Sequence, residues 1–174
     1  KNAEKRLAMA SLTKIMTAIV GFENKRSPNR YIVSESAIVG NDSMGVEVGE
    51  VLSFEELLYG LMLPSGNDAS EVIAQNYEKG GREAFIQAMN DRAKSLGLTD
   101  TQFSNPSGLQ GDGEQYTTAY DLLVMTRYAL ETFPDFAKVV STAEYVIPAT
   151  NTHKEFQLAN STNLLTTYEG VKGV

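Results

Sequence analysis

Ser11 and Lys14 stand three residues apart in the string Ser11-Leu12-Thr13-Lys14. On a helix, positions i and i+3 share a face, so the lysine amine can reach the serine hydroxyl. A serine attacks an acyl group when a neighbouring base takes its proton. Lysine can be that base where burial disfavours its charged form. A helix start adds backbone N–H groups where an oxyanion can form. The pattern points to acyl transfer through a covalent serine, with Ser11 as nucleophile and Lys14 as general base. The spacing alone also fits an ordinary helix start, and on these four residues that alternative stays open.

Ser65-Gly66-Asn67 is the second candidate. A hydroxyl and an amide two residues apart in a tight turn point into the same space, and Gly66 permits the turn. Ser65 could relay a proton and Asn67 could hold a substrate amide. Ser27-Pro28-Asn29 and Ser161-Thr162-Asn163 share the spacing, and a helix N-cap is an equally good use for Asn67. Other polar groups read as ordinary. Glu55 and Glu56 are helix-start acids, His153 is a solvated residue at a polar hairpin tip, and Lys79-Gly80-Gly81 is a helix stop.

The elements that must hold these groups follow from apolar periodicity. Leu12, Ile15, Met16, Ile19 and Val20 predict a helix over residues 12–22, with Ser11 at its start and Lys14 at the edge of the apolar arc. Tyr31-Ile32-Val33 reads as a short strand with Glu50-Val51-Leu52 as its partner. Ser53 and Glu56 form a capping box ahead of a helix that Pro64 ends. Asn67 and Asp68 open another helix, and a further one spans residues 82–96 with Gly97 at its C-terminus. Residues 99–116 are a loop rich in Asn, Pro, Gly and Ser. Thr118 and Asp121 start a helix through Leu130, and Pro134 opens a short one reaching Val140. Tyr145 and Ile147, then Phe156 and Leu158, alternate as a hairpin. The class is α+β, helix-rich with small sheet pieces.

Bulk properties narrow the functions. The 174 residues suit one domain. A net charge of −7 argues against nucleic acid as a partner. The absence of cysteine removes disulfides, thiolate metal sites and cysteine nucleophiles. One histidine, His153, leaves no Ser-His-Asp triad or multi-histidine metal site to build. No apolar run approaches a membrane helix, and there is no signal-peptide pattern. The abrupt start at Lys1-Asn2-Ala3 and the strand-like lead at Gly170-Val171-Lys172-Gly173-Val174 are expected of a fragment.

Longer strings around these residues resemble a known family. Ala10-Ser11-Leu12-Thr13-Lys14-Ile15-Met16-Thr17-Ala18 resembles the active-serine segment of the low-molecular-mass penicillin-binding proteins, the serine-type D-alanyl-D-alanine carboxypeptidases. Leu63-Pro64-Ser65-Gly66-Asn67-Asp68-Ala69 resembles their second motif. Phe103-Ser104-Asn105-Pro106-Ser107-Gly108-Leu109, Thr117-Thr118-Ala119-Tyr120-Asp121-Leu122 and Tyr168-Glu169-Gly170-Val171 are similar to later family strings, in order. The resemblance covers essentially the whole chain. Ser-x-x-Lys, Ser-Asp-Asn and Lys-Thr-Gly mark penicillin-binding proteins and class A β-lactamases; here Gly66 stands at the middle of the second motif.

The resemblance implies a β-lactamase/DD-peptidase-like transpeptidase fold, here a helix-rich fragment lacking most of the central antiparallel sheet. It gives Ser11 as nucleophile, Lys14 as general base, Ser65 as proton relay and Asn67 as substrate-binding, with no metal or cofactor. The implied partner is a peptidoglycan pentapeptide ending in D-Ala-D-Ala, with β-lactam antibiotics as inhibitors. The implied location is the cell-wall side of the cytoplasmic membrane, secreted or held by a C-terminal anchor that the chain lacks. The family's Lys-Thr-Gly strand is expected just after Val174, since Lys172 is followed by Gly-Val, and its opening strands before Lys1. Residues 1–174 are therefore expected to be a partial catalytic domain, inactive alone. The apolar face of the helix bearing Ser11 is expected to lie open for association, with another segment or a second copy completing the sheet. A class A β-lactamase is the nearest rival, but its Glu-x-x-Leu-Asn string is absent. A non-catalytic β-lactam-binding module has only the absent third motif in its favour. An endopeptidase that cuts wall cross-links would use the same chemistry.

Overall fold

A computed structural model describes residues 2–109 and 114–171. At its centre lies α1 (Thr13–Glu23), buried continuously from Thr13 to Gly21. It packs against α2 (Phe54–Met62), α3 (Asn67–Gln75), α4 (Gly81–Ser95) and α5 (Ala119–Thr132). A Cβ on Gly21 would lie 2.4 Å from the Phe54 ring, so the close approach of α1 to that ring depends on glycine.

The open apolar face expected for α1 is not found. Ile15, Met16, Ile19 and Val20 are all at most 5% exposed. The physical reason is that α1 is apolar nearly all round, the signature of a core helix. Of its buried polar side chains, Lys14 and Thr17 are taken up by hydrogen bonds to neighbouring segments, while the Thr13 hydroxyl has no partner among the described residues.

Strands are few and short. β1 (Tyr31–Ile32) pairs antiparallel with β2 (Val51–Leu52), Tyr31 opposite Leu52. The expected third residue, Val33, extends the pairing through bonds to Glu50 and Gly49 without joining the strand. β3 (Glu144–Ile147) and β4 (Phe156–Ala159) form the expected hairpin, with Ile147 opposite Phe156. The loop read over residues 99–116 carries an antiparallel bridge between Gln102 and Tyr116, and Leu7 pairs with Thr117 just beyond.

The helix ends follow their sequence signals. Ser53 and Glu56 form the reciprocal capping box of α2, Thr118 caps α5 through the Asp121 N–H, and Pro134 opens α6 (Pro134–Val140). A short α7 (Leu164–Thr167) follows the hairpin. Lys172-Gly173-Val174, expected to lead into a strand, lie outside the described residues.

His153 is not solvated. The β3–β4 connection folds back onto β2, where the Val51 N–H donates to the Thr152 carbonyl and the Thr152 hydroxyl to the Val51 carbonyl. His153 is thereby buried, Nδ1 on the Lys154 carbonyl and Nε2 3.3 Å from Glu56 Oε1.

Candidate active site

A 3₁₀ turn, Ala10–Leu12, leads directly into α1. Ala10 has a left-handed φ of 47°. Ser11 is exposed on this turn, and Lys14, one turn further, is only 2% exposed. The backbone of Gly108 lies against the turn so closely that a Cβ there would sit 1.9 Å from the Ala10 carbonyl oxygen, and Gly108 itself has a φ of +91°. Only glycine meets both conditions.

The Lys14 ammonium nitrogen donates to three acceptors. They are Ser11 Oγ at 3.1 Å, Asn67 Oδ1 at 2.8 Å and the Ser107 carbonyl at 2.8 Å. Burial pushes the amine down to about 8, while the charges of Asp42 and Asp68 oppose the fall. About a tenth of the lysine is then neutral at pH 7.

Asn67 is not the N-cap of α3, as an ordinary reading allowed. That position belongs to Gly66, and Asn67 is the first helical residue. Its side chain spans the site, accepting from Lys14 through Oδ1 and donating through Nδ2 to the Asn41 carbonyl at 2.9 Å. Ser65, with a left-handed φ of 61°, lines a cavity of about 330 Å³ together with Ser11, Lys14, Met62 and Ser161. The structure thus brings Ser11, Lys14 and Asn67 into direct contact. It places Ser65 on the same cavity without a hydrogen bond to any of them, and its hydroxyl has no partner among the described residues.

Asp68, next to Asn67 in sequence, supports the site through the loop that Asn67 bonds. Its carboxylate, 1% exposed, accepts from the N–H groups of Met44, Gly45, Val46 and Ala69 and from the Ser43 hydroxyl. It fastens residues 43–46 beside the Asn41 carbonyl that holds Asn67. Asp68→Ala should cost about 3–5 kcal/mol, read as a lowered urea midpoint, because several buried donors lose their acceptor at once. A loss below about 1 kcal/mol would show that water replaces the carboxylate freely.

Two contributors to this geometry carry no signature in residue type. The Ser107 group on Lys14 is a main-chain carbonyl. Asp42 acts on the lysine through its charge, from a loop whose residue types carry no sign of that position. The string 103–109 was the available signal for the first. Among the described residues no cluster of three or more His, Asp or Glu side chains could hold a metal.

Comparison with known proteins now bears on the site. The peptidase S11 family model, D-alanyl-D-alanine carboxypeptidase, matches residues 1–174. The chain is 38% identical over 180 residues to the D-alanyl-D-alanine carboxypeptidase DacF of Bacillus subtilis, covering 100% of this chain and 45% of that protein. To DacB2 of Mycobacterium tuberculosis it is 34% identical over 167 residues, covering 94% and 55%. The crystal structure of the Streptomyces K15 DD-transpeptidase superposes with a TM-score of 0.89 at 32% identity, over 100% of this chain and 72% of that one. The chain spans about half the length of the curated relatives it matches. With a family match along its whole length and a solved relative sharing its fold, the chain belongs to the D-alanyl-D-alanine carboxypeptidase family of serine peptidases.

Proposed function

We propose that residues 1–174 are part of the catalytic domain of a serine-type D-Ala-D-Ala carboxypeptidase that trims peptidoglycan stem peptides and is acylated by β-lactams. The observation that carries this reading is the buried Lys14 amine held at Ser11 Oγ by two further acceptors. Neutral Lys14 takes the Ser11 proton as the oxygen attacks the carbonyl between the two terminal D-alanines. The C–N bond breaks, and the proton now on Lys14 passes to the leaving amine through the Ser65 hydroxyl, which is uncommitted on the shared cavity and returns to its starting state. Asn67, bonded to Lys14 through Oδ1, turns its Nδ2 from the Asn41 carbonyl to the substrate amide. Water then attacks the acyl-serine and releases the shortened peptide. The substrate places the work outside the cytoplasmic membrane; among the described residues no helix is long and apolar enough to cross one.

The deciding experiment is incubation of the full-length protein carrying these residues with benzylpenicillin, followed by intact mass and peptide mapping. One adduct per chain, on Ser11, is expected. An adduct on another residue, or none, overturns the reading.

The pH dependence has a fixed sign. The reactive base is the neutral amine, so the acylation rate should rise about tenfold per pH unit below about 8 and level off above it. Rate constants measured across about pH 6 to 10 check this; a flat profile through that window would remove Lys14 as the base.

A further inference from the structure

We propose that Asn105 is a positioning residue of this site: it folds residues 105–109 into the turn that presses the Ser107 carbonyl oxygen onto the Lys14 amine. The inference rests on the reading of Lys14 as base. Asn105 is 0% exposed. Its Oδ1 accepts from the Gly108 N–H at 2.7 Å, the Ser107 N–H at 3.2 Å and the Ser107 hydroxyl at 3.3 Å. Its Nδ2 donates to the Leu109 carbonyl at 2.7 Å. One amide therefore closes the whole turn from inside.

The turn is fastened to the reactive helix at two more points. The Thr17 hydroxyl donates to the Pro106 carbonyl at 2.6 Å, close along α1 from Lys14. Gly108 lies against the Ala10 carbonyl and the Ser11 N–H. The same five residues thus touch the nucleophile's backbone, the base and the helix that carries both.

The chemical consequence lies in how an amine counts its partners. An ammonium has three N–H groups, and a neutral amine has two and a lone pair. Asn67 Oδ1 and the Ser107 carbonyl, each at 2.8 Å, hold two N–H groups. The remaining tetrahedral direction then faces Ser11 Oγ at 3.1 Å, which is where a lone pair must point to accept its proton. Without the Ser107 carbonyl one anchor remains, and the lone pair is no longer aimed. The ammonium also loses an acceptor in a buried site, which disfavours the charged form. The charged groups acting on Lys14 are Asp42, in the loop ahead of β2, and Asp68, on α3, whose carboxylate is bonded to residues 43–46 and to the Ala69 N–H.

The test is an NMR titration of the Lys14 Nζ and Cε shifts, assigned with Lys14→Arg, in the wild type, Asn105→Ala and Thr17→Val. The Thr17→Val variant loosens the turn without altering its own residues and guards against misfolding of Asn105→Ala. The midpoint is expected to fall by about one pH unit in Asn105→Ala, the equivalent of one charge-assisted hydrogen bond, and by less in Thr17→Val. Either folded variant that keeps the wild-type midpoint overturns the proposal and shows the turn to be merely structural. A wild-type midpoint at the usual lysine value would instead overturn the base reading, whatever the variants do.

Discussion

Ser11→Ala is expected to abolish penicillin labelling while leaving the fold in place. The hydroxyl is the only atom at that position able to form an ester, so the loss is complete. Structurally it is cheap. Ser11 is exposed, and Lys14 keeps its bonds to Asn67 and Ser107 when the hydroxyl goes. An exposed position of this kind changes stability by about 0.5 kcal/mol or less. Intact mass after incubation with penicillin and a thermal melt check the two halves together. Labelling that survives the substitution would place the nucleophile elsewhere.

Lys14→Met should slow acylation by about 10²–10⁴-fold, the range in which a positioned general base contributes. Its effect on stability is expected to be small, because two terms oppose. Lys14 titrates lower in the folded protein than in the unfolded chain, so its charged form is disfavoured by folding. The sign follows: at pH 7 the native state carries a penalty of about 3 kcal/mol, which fades as pH rises from about 8 to the ordinary lysine value. Methionine removes that penalty at nearly conserved volume. It also strands Asn67 Oδ1 and the Ser107 carbonyl, at about 1–3 kcal/mol for each buried acceptor left unpaired. Urea unfolding at pH 7 beside the acylation rate separates the outcomes. A variant that loses stability and activity in parallel would mean that Lys14 is a structural cation. A variant of normal stability with wild-type acylation would mean that another group takes the proton.

Signals in the sequence are legible where the physics is local. The Ser53–Glu56 capping box, the pairing of segment 31–33 with segment 50–52, Pro134 at a helix start and the β3–β4 hairpin each depend on residues close in the chain or on simple alternation. What the sequence hid is set by distant neighbours. His153 looked like a solvated tip because nothing nearby marks Glu56 as its partner. Helix α1 is buried by α2, α3, α4 and α5, partners that its own periodicity does not name. For Asn67 the sequence leaves a helix cap and a site role open, because the buried amine opposite it comes from a residue 53 positions away. The Ser107 carbonyl was invisible for a different reason: every residue but for its conformation offers the same oxygen, and the conformation comes from Asn105 and Gly108.

The docking of the β3–β4 connection onto β2 bears on the order in which the molecule assembles. Two-stranded ribbons are marginal in water on their own, and here each gains hydrogen bonds from the other through Val51 and Thr152, which are 101 residues apart. The entropy of closing so long a loop must be met before that contact returns anything. Helices α3 and α4, neighbours in sequence and in space, carry no such delay. The α3–α4 pair can therefore gather early, whereas the ribbons, like the contact of α1 with α5, lock late, at a step governed by chain topology rather than by the strength of either ribbon.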